Sequence, residues 1–164
     1  MLRHALQCLV IALTLTGSDM AQAQESWPRW EAGSQFSLIS AGGMTNVRAE
    51  AGISRFFFTR HALELRGGVS HLLSATALDL DGSYALHLRW CRLLGFARVG
   101  AGLRFEQVGG GHRSRLAVFG GGGVKIRLGS MLALRLELTG RHLIGAPGVA
   151  DELALLVGPV ALWN

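Results

Sequence analysis

The sequence predicts an all-β fold in which eight antiparallel strands close into an up-and-down barrel with meander topology. The first observation is residues 77–90, ALDLDGSYALHLRW, where apolar and polar residues alternate without interruption. The second is that about eight such segments follow one another after residue 29, and the third is that no helical period appears among them. A period of two is the signature of a β-strand. An even number of consecutive strands closes into a barrel that leaves no sheet edge exposed.

The first four strands are expected near residues 30–38, 46–56, 62–72 and 77–90. The sequence Ala41-Gly42-Gly43 is expected to turn the chain between the first two strands, because glycine tolerates the backbone of tight turns. A short polar turn at residues 59–61 follows the second strand. In the fourth strand the leucines share one face, and two carboxylates, an imidazole and a guanidinium share the other. Its two faces therefore require different surroundings.

The last four strands are expected near residues 97–106, 115–128, 132–141 and 152–163. Residues 91–95 are expected to form a short connection, and the glycine-rich residues 109–114 a flexible loop. Gly129-Ser130 is expected to form a tight hairpin turn. Pro159 falls within the last strand, although proline is tolerated in sheets mainly at bulges and strand ends.

The N-terminus has the features of a secretory signal peptide, assigned to residues 1–23. Arg3 and His4 form a short basic start, an apolar run follows, and Ala21-Gln22-Ala23 is a small-x-small cleavage site. Cleavage before Gln24 leaves residues 24–164 as one barrel domain, a length that suits a single domain.

The composition indicates buried ion pairs in place of disulfides. Only Cys91 remains after the signal peptide, so no internal disulfide can form. Lys125 is the only lysine, and the other cations are arginines, which are preferred in multiply hydrogen-bonded ion pairs. The formal charge of +5 does not indicate nucleic-acid binding, because the basic residues alternate with apolar ones and form no patch.

Two kinds of barrel compete, because periodicity alone does not say which face is inside. A soluble lipocalin-like barrel would enclose the leucines around a ligand, whereas a transmembrane barrel would enclose the charges. The polar face is rich in glycine and its charges nearly balance, and strands of about ten residues cross a tilted membrane path. These features favour the transmembrane barrel, with its lumen filled by an ion-pair network. The predicted network is Arg48, Glu50, Glu64, Arg66, Asp79, Asp81, Arg89, Arg98, Arg104, Glu106, Lys125, Arg127, Arg135, Glu137 and Arg141.

Aromatic residues placed towards strand ends are typical of the girdles that flank a membrane. The predicted girdle comprises Trp30, Phe57, Tyr84, Trp90, Phe105 and Trp163.

The signal peptide, the dyad-repeat strands and the C-terminal Leu162-Trp163-Asn164 resemble the small eight-stranded outer-membrane barrels of Gram-negative bacteria, of the OmpA and OmpX type. Asn164 departs from the terminal aromatic that this group normally carries. The resemblance implies an outer-membrane location, contact with outer-membrane lipid and lipopolysaccharide, insertion by the barrel-assembly machinery, and a monomer. It implies no nucleic-acid partner and no cofactor or metal.

His142 is the one residue that suggests catalysis. Residues 141–148 resemble the region in which barrel enzymes that deacylate lipid A carry a His-x-Ser-Asn element, but Ile144 and Gly145 occupy the serine and asparagine positions. Without a hydroxyl the imidazole has no nucleophile to activate. The expected function is therefore structural or interaction-based and not enzymatic. A degenerate lipid A deacylase-like barrel and a soluble periplasmic lipocalin-like barrel remain as alternatives.

Overall fold

The computed structural model describes residues 28–58, 60–72, 75–90, 93–108, 111–145 and 151–164. The predicted signal peptide, residues 1–23, and its cleavage site lie outside the described residues. No helix among the described residues is long and apolar enough to cross a membrane. The strands are β1 (Trp30–Ala41), β2 (Met44–Phe58), β3 (His61–Leu72), β4 (Ala75–Trp90), β5 (Leu93–Val108), β6 (Gly111–Arg127), β7 (Leu132–Ile144) and β8 (Asp151–Trp163).

The eight strands form a closed barrel in sequence order, and each strand is antiparallel to both of its neighbours. The barrel closes where β1 pairs with β8, from Trp30 opposite Trp163 to Ser40 opposite Leu153. This ladder is interrupted between its Gly33–Val160 and Phe36–Val157 pairs. Pro159 lies in the gap, and proline has no N–H to contribute to a ladder. The predicted all-β meander barrel is confirmed.

The connections are shorter than the sequence suggested. Gly42 and Gly43 have φ angles of 55° and 80° and form a two-residue hairpin loop, which favours two consecutive positive φ values. The predicted loop at residues 109–114 was wrong in its extent, because β6 begins at Gly111 and pairs from there with the end of β5. The predicted connection at residues 91–95 was likewise too long, since β5 begins at Leu93. In both places the ladder of backbone hydrogen bonds extends into a glycine-containing segment.

The even strand number places both ends of the barrel chain on one side. We call this side the terminal end; it also carries the β2–β3, β4–β5 and β6–β7 turns. The opposite side, the loop end, carries the other four connections.

The orientation of the two faces is that of a membrane barrel and the reverse of a lipocalin-like one. Leucine, valine and aromatic side chains are exposed on the outer surface, whereas most charged strand residues are buried inside. Leu138 is 52% exposed and the adjacent Glu137 is 1% exposed. The interior is therefore polar and the exterior apolar.

Candidate functional site

The barrel interior holds an electrically balanced set of seven acidic and seven basic side chains among the described residues. They form two groups along the barrel axis. The terminal-side cluster comprises Glu31, Glu64, Arg66, Arg98, Lys125, Arg135 and Glu137. The loop-side cluster comprises Arg48, Glu50, Asp79, Asp81, Arg104, Arg141 and Glu152.

Glu137 is the centre of the terminal-side cluster. Its carboxylate accepts hydrogen bonds from Arg66 at 3.2 Å and from Arg135 at 2.8 Å. Arg98 also donates to it, and the hydroxyl of Thr139 donates at 2.6 Å. One buried carboxylate thus faces three guanidinium groups, which arrive from β3, β5 and β7.

Glu64 joins two of the same arginines from the other side of the cluster. Arg66 Nη2 donates to Glu64 Oε2 at 2.8 Å, and Arg135 Nη1 donates to Glu64 Oε1 at 3.1 Å. Both arginines therefore bridge Glu64 and Glu137. A charge-assisted network of this kind fixes the side chains of several strands in one arrangement.

Lys125 lies at the terminal end of this cluster, in contact with the buried Glu31 and 3.0 Å from Nε2 of His87. Glu31, Glu64 and His87 bring three donor atoms within 4.8 Å of one another, which is a spacing that suits a metal ion. The ammonium group of Lys125 bonds two of these three residues. It supplies the positive charge that a metal ion would otherwise bring.

The loop-side cluster is organised around Asp79 and Glu152. Asp79 accepts hydrogen bonds from Arg104 at 2.8 Å and Arg141 at 2.9 Å, and its carboxylate lies 3.2 Å from Arg48. Glu152 accepts from Arg48 at 3.1 Å and from Arg104 at 2.8 Å. The remaining ion pairs of the loop-side cluster join Arg141 to Asp81 and Arg48 to Glu50.

Glu50 connects the two clusters, since its carboxylate lies 3.7 Å from Arg66. The connection also balances charge: the terminal-side cluster has one more cation than anions, and the loop-side cluster one more anion. The fourteen groups therefore form one neutral unit.

Aromatic rings and glycines fill the space between the charges. The Arg135 guanidinium lies 4.0 Å from the ring centroid of Phe96, and those of Arg98 and Arg141 lie 4.8 and 5.4 Å from that of Phe119, which are cation–π distances. A β-carbon added at Gly100 would lie 2.6 Å from the Phe119 ring. A small cavity near Gln35, Gly52 and Arg66 has a volume of about 20 Å³, room for roughly one water molecule.

The structure brings most of the sequence-predicted network together and places three of its members at the rims. Glu106 pairs with Arg115 at 3.2 Å near the loop end. Arg89 and Arg127 are half-buried at the terminal end, where Arg127 donates to the carbonyl of Ser130 at 3.3 Å. The other twelve predicted residues belong to the two clusters.

Sequence reasoning left several participants out of the network, namely Glu31, Gln35, His87, Phe96, Phe119, Thr139 and Glu152. All seven occupy inward positions of their strands, so strict alternation could have found them. Glu152 was missed because it stands at the start of β8, whose other inward residues are apolar or glycine.

The predicted aromatic girdle is one-sided. Trp30, Phe57, Trp90 and Trp163 lie on the outer surface at the terminal end. Tyr84 lies in the middle of β4, where its hydroxyl contacts Nδ1 of His61, and Phe105 lies on the loop-end half of β5. Among the described residues, every tryptophan is therefore at the terminal end.

His142 points outwards at the loop end and is paired with an acid. Its Nδ1 lies 2.7 Å from Oδ1 of Asp151, and both side chains are exposed. Ile144 occupies the position at which the lipid A deacylases carry their serine. It lies two residues beyond His142 on the same outer face of β7. No hydroxyl group is hydrogen-bonded to His142 within the described part of the chain.

No protein-family model and no curated protein matches this sequence. Among solved structures, the fold is similar to Neisserial surface protein A (NspA), with a TM-score of 0.67 and 8% identity over 82% of this chain and 96% of that one. It is similar to the N-terminal barrel domain of Pseudomonas aeruginosa OprF, with a TM-score of 0.65 and 12% identity over 80% and 96%. It also resembles the outer membrane enzyme PagL, with a TM-score of 0.53 and 12% identity over 78% and 97%. The fold is that of a small eight-stranded outer-membrane barrel.

Proposed function

We propose that this protein is an integral outer-membrane protein of a Gram-negative bacterium with a structural or interaction role, and that its lumen is closed by ion pairs. The proposal is supported by the fourteen charged groups of the two clusters, which together form one neutral unit. In an eight-stranded barrel the interior is just wide enough for side chains to fill. Here the terminal-side cluster bridges strands on opposite sides of the barrel, as Arg66 on β3 does with Glu137 on β7. The loop-side cluster also crosses the interior, since Arg141 on β7 donates to Asp79 on β4.

The outer surface supports the membrane part of the proposal. The exposed large apolar side chains occur on all eight strands and form a continuous belt. In water such a belt would far exceed the apolar patches of a few hundred Å² that soluble monomers expose. In a bilayer the same belt is solvated by lipid tails. The partners proposed for the chain are outer-membrane lipid, lipopolysaccharide and the barrel-assembly machinery, and the protein acts as a monomer.

Cell fractionation with gel electrophoresis tests the location. Expressed with its own leader in a Gram-negative host, the protein should fractionate with the outer membrane and migrate differently before and after boiling. Recovery as a soluble periplasmic species without detergent would overturn the proposal.

Conductance and lipid-hydrolysis measurements test the lumen and the non-enzymatic role. Reconstituted into planar bilayers, the folded protein should show no steady conductance, because a neutral packed interior leaves no continuous water path. Incubated with lipopolysaccharide, it should release no fatty acid, and His142→Ala should change neither result. Stable single-channel steps would contradict the closed lumen, and acyl release lost in His142→Ala would establish catalysis.

A further inference from the structure

Arg55 is an exception on the apolar outer surface. Along β2 the outward positions are Val47, Ala49, Ala51, Ile53, Arg55 and Phe57. Among the outward-facing strand residues that the structure describes, Arg55 is the only lysine or arginine. A guanidinium on a lipid-facing surface is costly unless it lies near the membrane–water interface.

Two aromatic rings hold this guanidinium at the terminal end. Its central carbon lies 5.2 Å from the ring centroid of Trp30 and 5.8 Å from that of Phe57. Trp30 stands directly opposite Arg55 on β1 and directly opposite Trp163 on β8. The arginine is therefore fixed at the level of the tryptophans, which favour the interface between lipid and water.

The guanidinium has no carboxylate partner within the described residues. Its contacts there are the two aromatic rings, and a guanidinium carries five N–H donors. Glu31, the acidic side chain nearest to Arg55 across the β1–β2 ladder, is 2% exposed and bonded to Lys125.

Two further arginines, Arg29 and Arg60, lie at the same end of the barrel as Arg55. Arg29 is exposed and its carbonyl accepts a hydrogen bond from the N–H of Phe56, next to Arg55, at 2.9 Å. Arg60 stands in the following turn. At the loop end, in contrast, an exposed acid is present, since Asp151 accompanies His142.

We propose that Arg55, with Trp30 and Phe57, binds the phosphate of an anionic glycerophospholipid head group. This inference rests on the proposed function, since it requires the barrel to lie in a bilayer. A guanidinium donates two parallel hydrogen bonds to phosphate oxygens, and the neighbouring arginines favour a lipid of net negative charge.

Fluorescence quenching by brominated lipid tests the site. In a variant with Trp27, Trp90 and Trp163 replaced by phenylalanine, Trp30 is the sole tryptophan and reports on lipid beside Arg55. In phosphatidylcholine vesicles, brominated phosphatidylglycerol should bind beside Trp30 about fivefold better than brominated phosphatidylcholine, the ratio expected for about 1 kcal/mol per arginine. High salt should weaken the preference.

Three substitutions sharpen the test. In this single-tryptophan protein, Arg55→Gln should abolish the preference, Arg55→Lys should reduce it, and Arg113→Gln should leave it intact. Arg113 is an exposed arginine at the loop end and serves as the matched control. Equal quenching by the two lipids in the protein that retains Arg55, or an equal loss in Arg113→Gln, would overturn the proposal.

Heat-dependent gel mobility, measured on every sample, distinguishes a failure of the proposed function from a failure of the phosphate site. A protein that fails to form the heat-modifiable species in vesicles contradicts the proposed function. A folded barrel without lipid preference contradicts only the phosphate site.

Discussion

The two faces of β7 share one backbone and have opposite environments. Leu136 is 38% exposed on the outer surface, and its neighbours Arg135 and Glu137 are 2% and 1% exposed inside. The inner side chains are stabilised by specific partners: Glu137, for example, accepts hydrogen bonds from Arg66, Arg98, Arg135 and Thr139. The stability of the outer side chains depends only on the surrounding lipid or water and on their depth in the membrane. Substitutions inside should therefore be judged by partners lost, and substitutions outside by position along the barrel axis.

The largest effect is expected from Glu137→Ala. Removing this carboxylate leaves three buried guanidinium groups without their common acceptor, and breaking a buried pair costs about 3–5 kcal/mol. The unfolding free energy in lipid vesicles, measured by urea titration with tryptophan fluorescence, should fall by this amount. A loss below about 1 kcal/mol would show that the inner face does not depend on specific partners.

The next effect is expected on the outer face, from Leu136→Arg. An arginine on the lipid surface near mid-membrane costs about 2–4 kcal/mol, and near the interface about 0–1 kcal/mol. Leu128→Arg, at the terminal end just after β6, is the matched control and should be nearly neutral. Equal costs in the same urea titration would show that the outer face is not sensitive to depth.

Replacing glycine by alanine at two neighbouring positions compares the inner and outer faces with the same chemical change. A β-carbon at inward Gly100 would clash first with the carbonyl oxygen of Gly82 and would lie 2.6 Å from the Phe119 ring, whereas at outward Gly82 the nearest atom lies 4.0 Å away. Gly100→Ala should cost about 1–3 kcal/mol by overpacking. Gly82→Ala should change the unfolding free energy by less than about 1 kcal/mol. The reverse order would mean that the interior has unfilled space.

The smallest effect is expected from Glu106→Gln at the rim. Glu106 and Arg115 form a partly exposed pair, which contributes roughly 0–1 kcal/mol. Because it is accessible to solvent, its small contribution should vanish in concentrated salt, while the cost of Glu137→Ala should persist. A salt-resistant loss above about 2 kcal/mol would show that the buried network extends to this rim.

The sequence by itself determined the strand number, the order of the strands and which residues share a face. These features follow from local alternation of apolar and polar residues. In β4 the alternation places Leu80 and Leu88 on one face and Asp79 and Asp81 on the other, and the structure has the same arrangement. The composition of the two faces also predicted which one is inside. Strand ends were less well predicted, because hairpin pairing continues to within two residues of each turn: Gly111 pairs with Val108, and Leu93 with Trp90.

Only the tertiary structure decided which charges meet and how the two ends differ. Arg48 and Glu152 are separated by 104 residues, and Lys125 and Glu31 by 94. Their contacts depend on barrel closure and on the stagger between strands, which no local pattern contains. The same stagger gathers Trp30, Trp163 and Arg55, from the two termini and the second strand, at one level of the terminal end. Alternation specifies the face of each side chain, whereas its partners across the barrel are set by closure of the whole sheet.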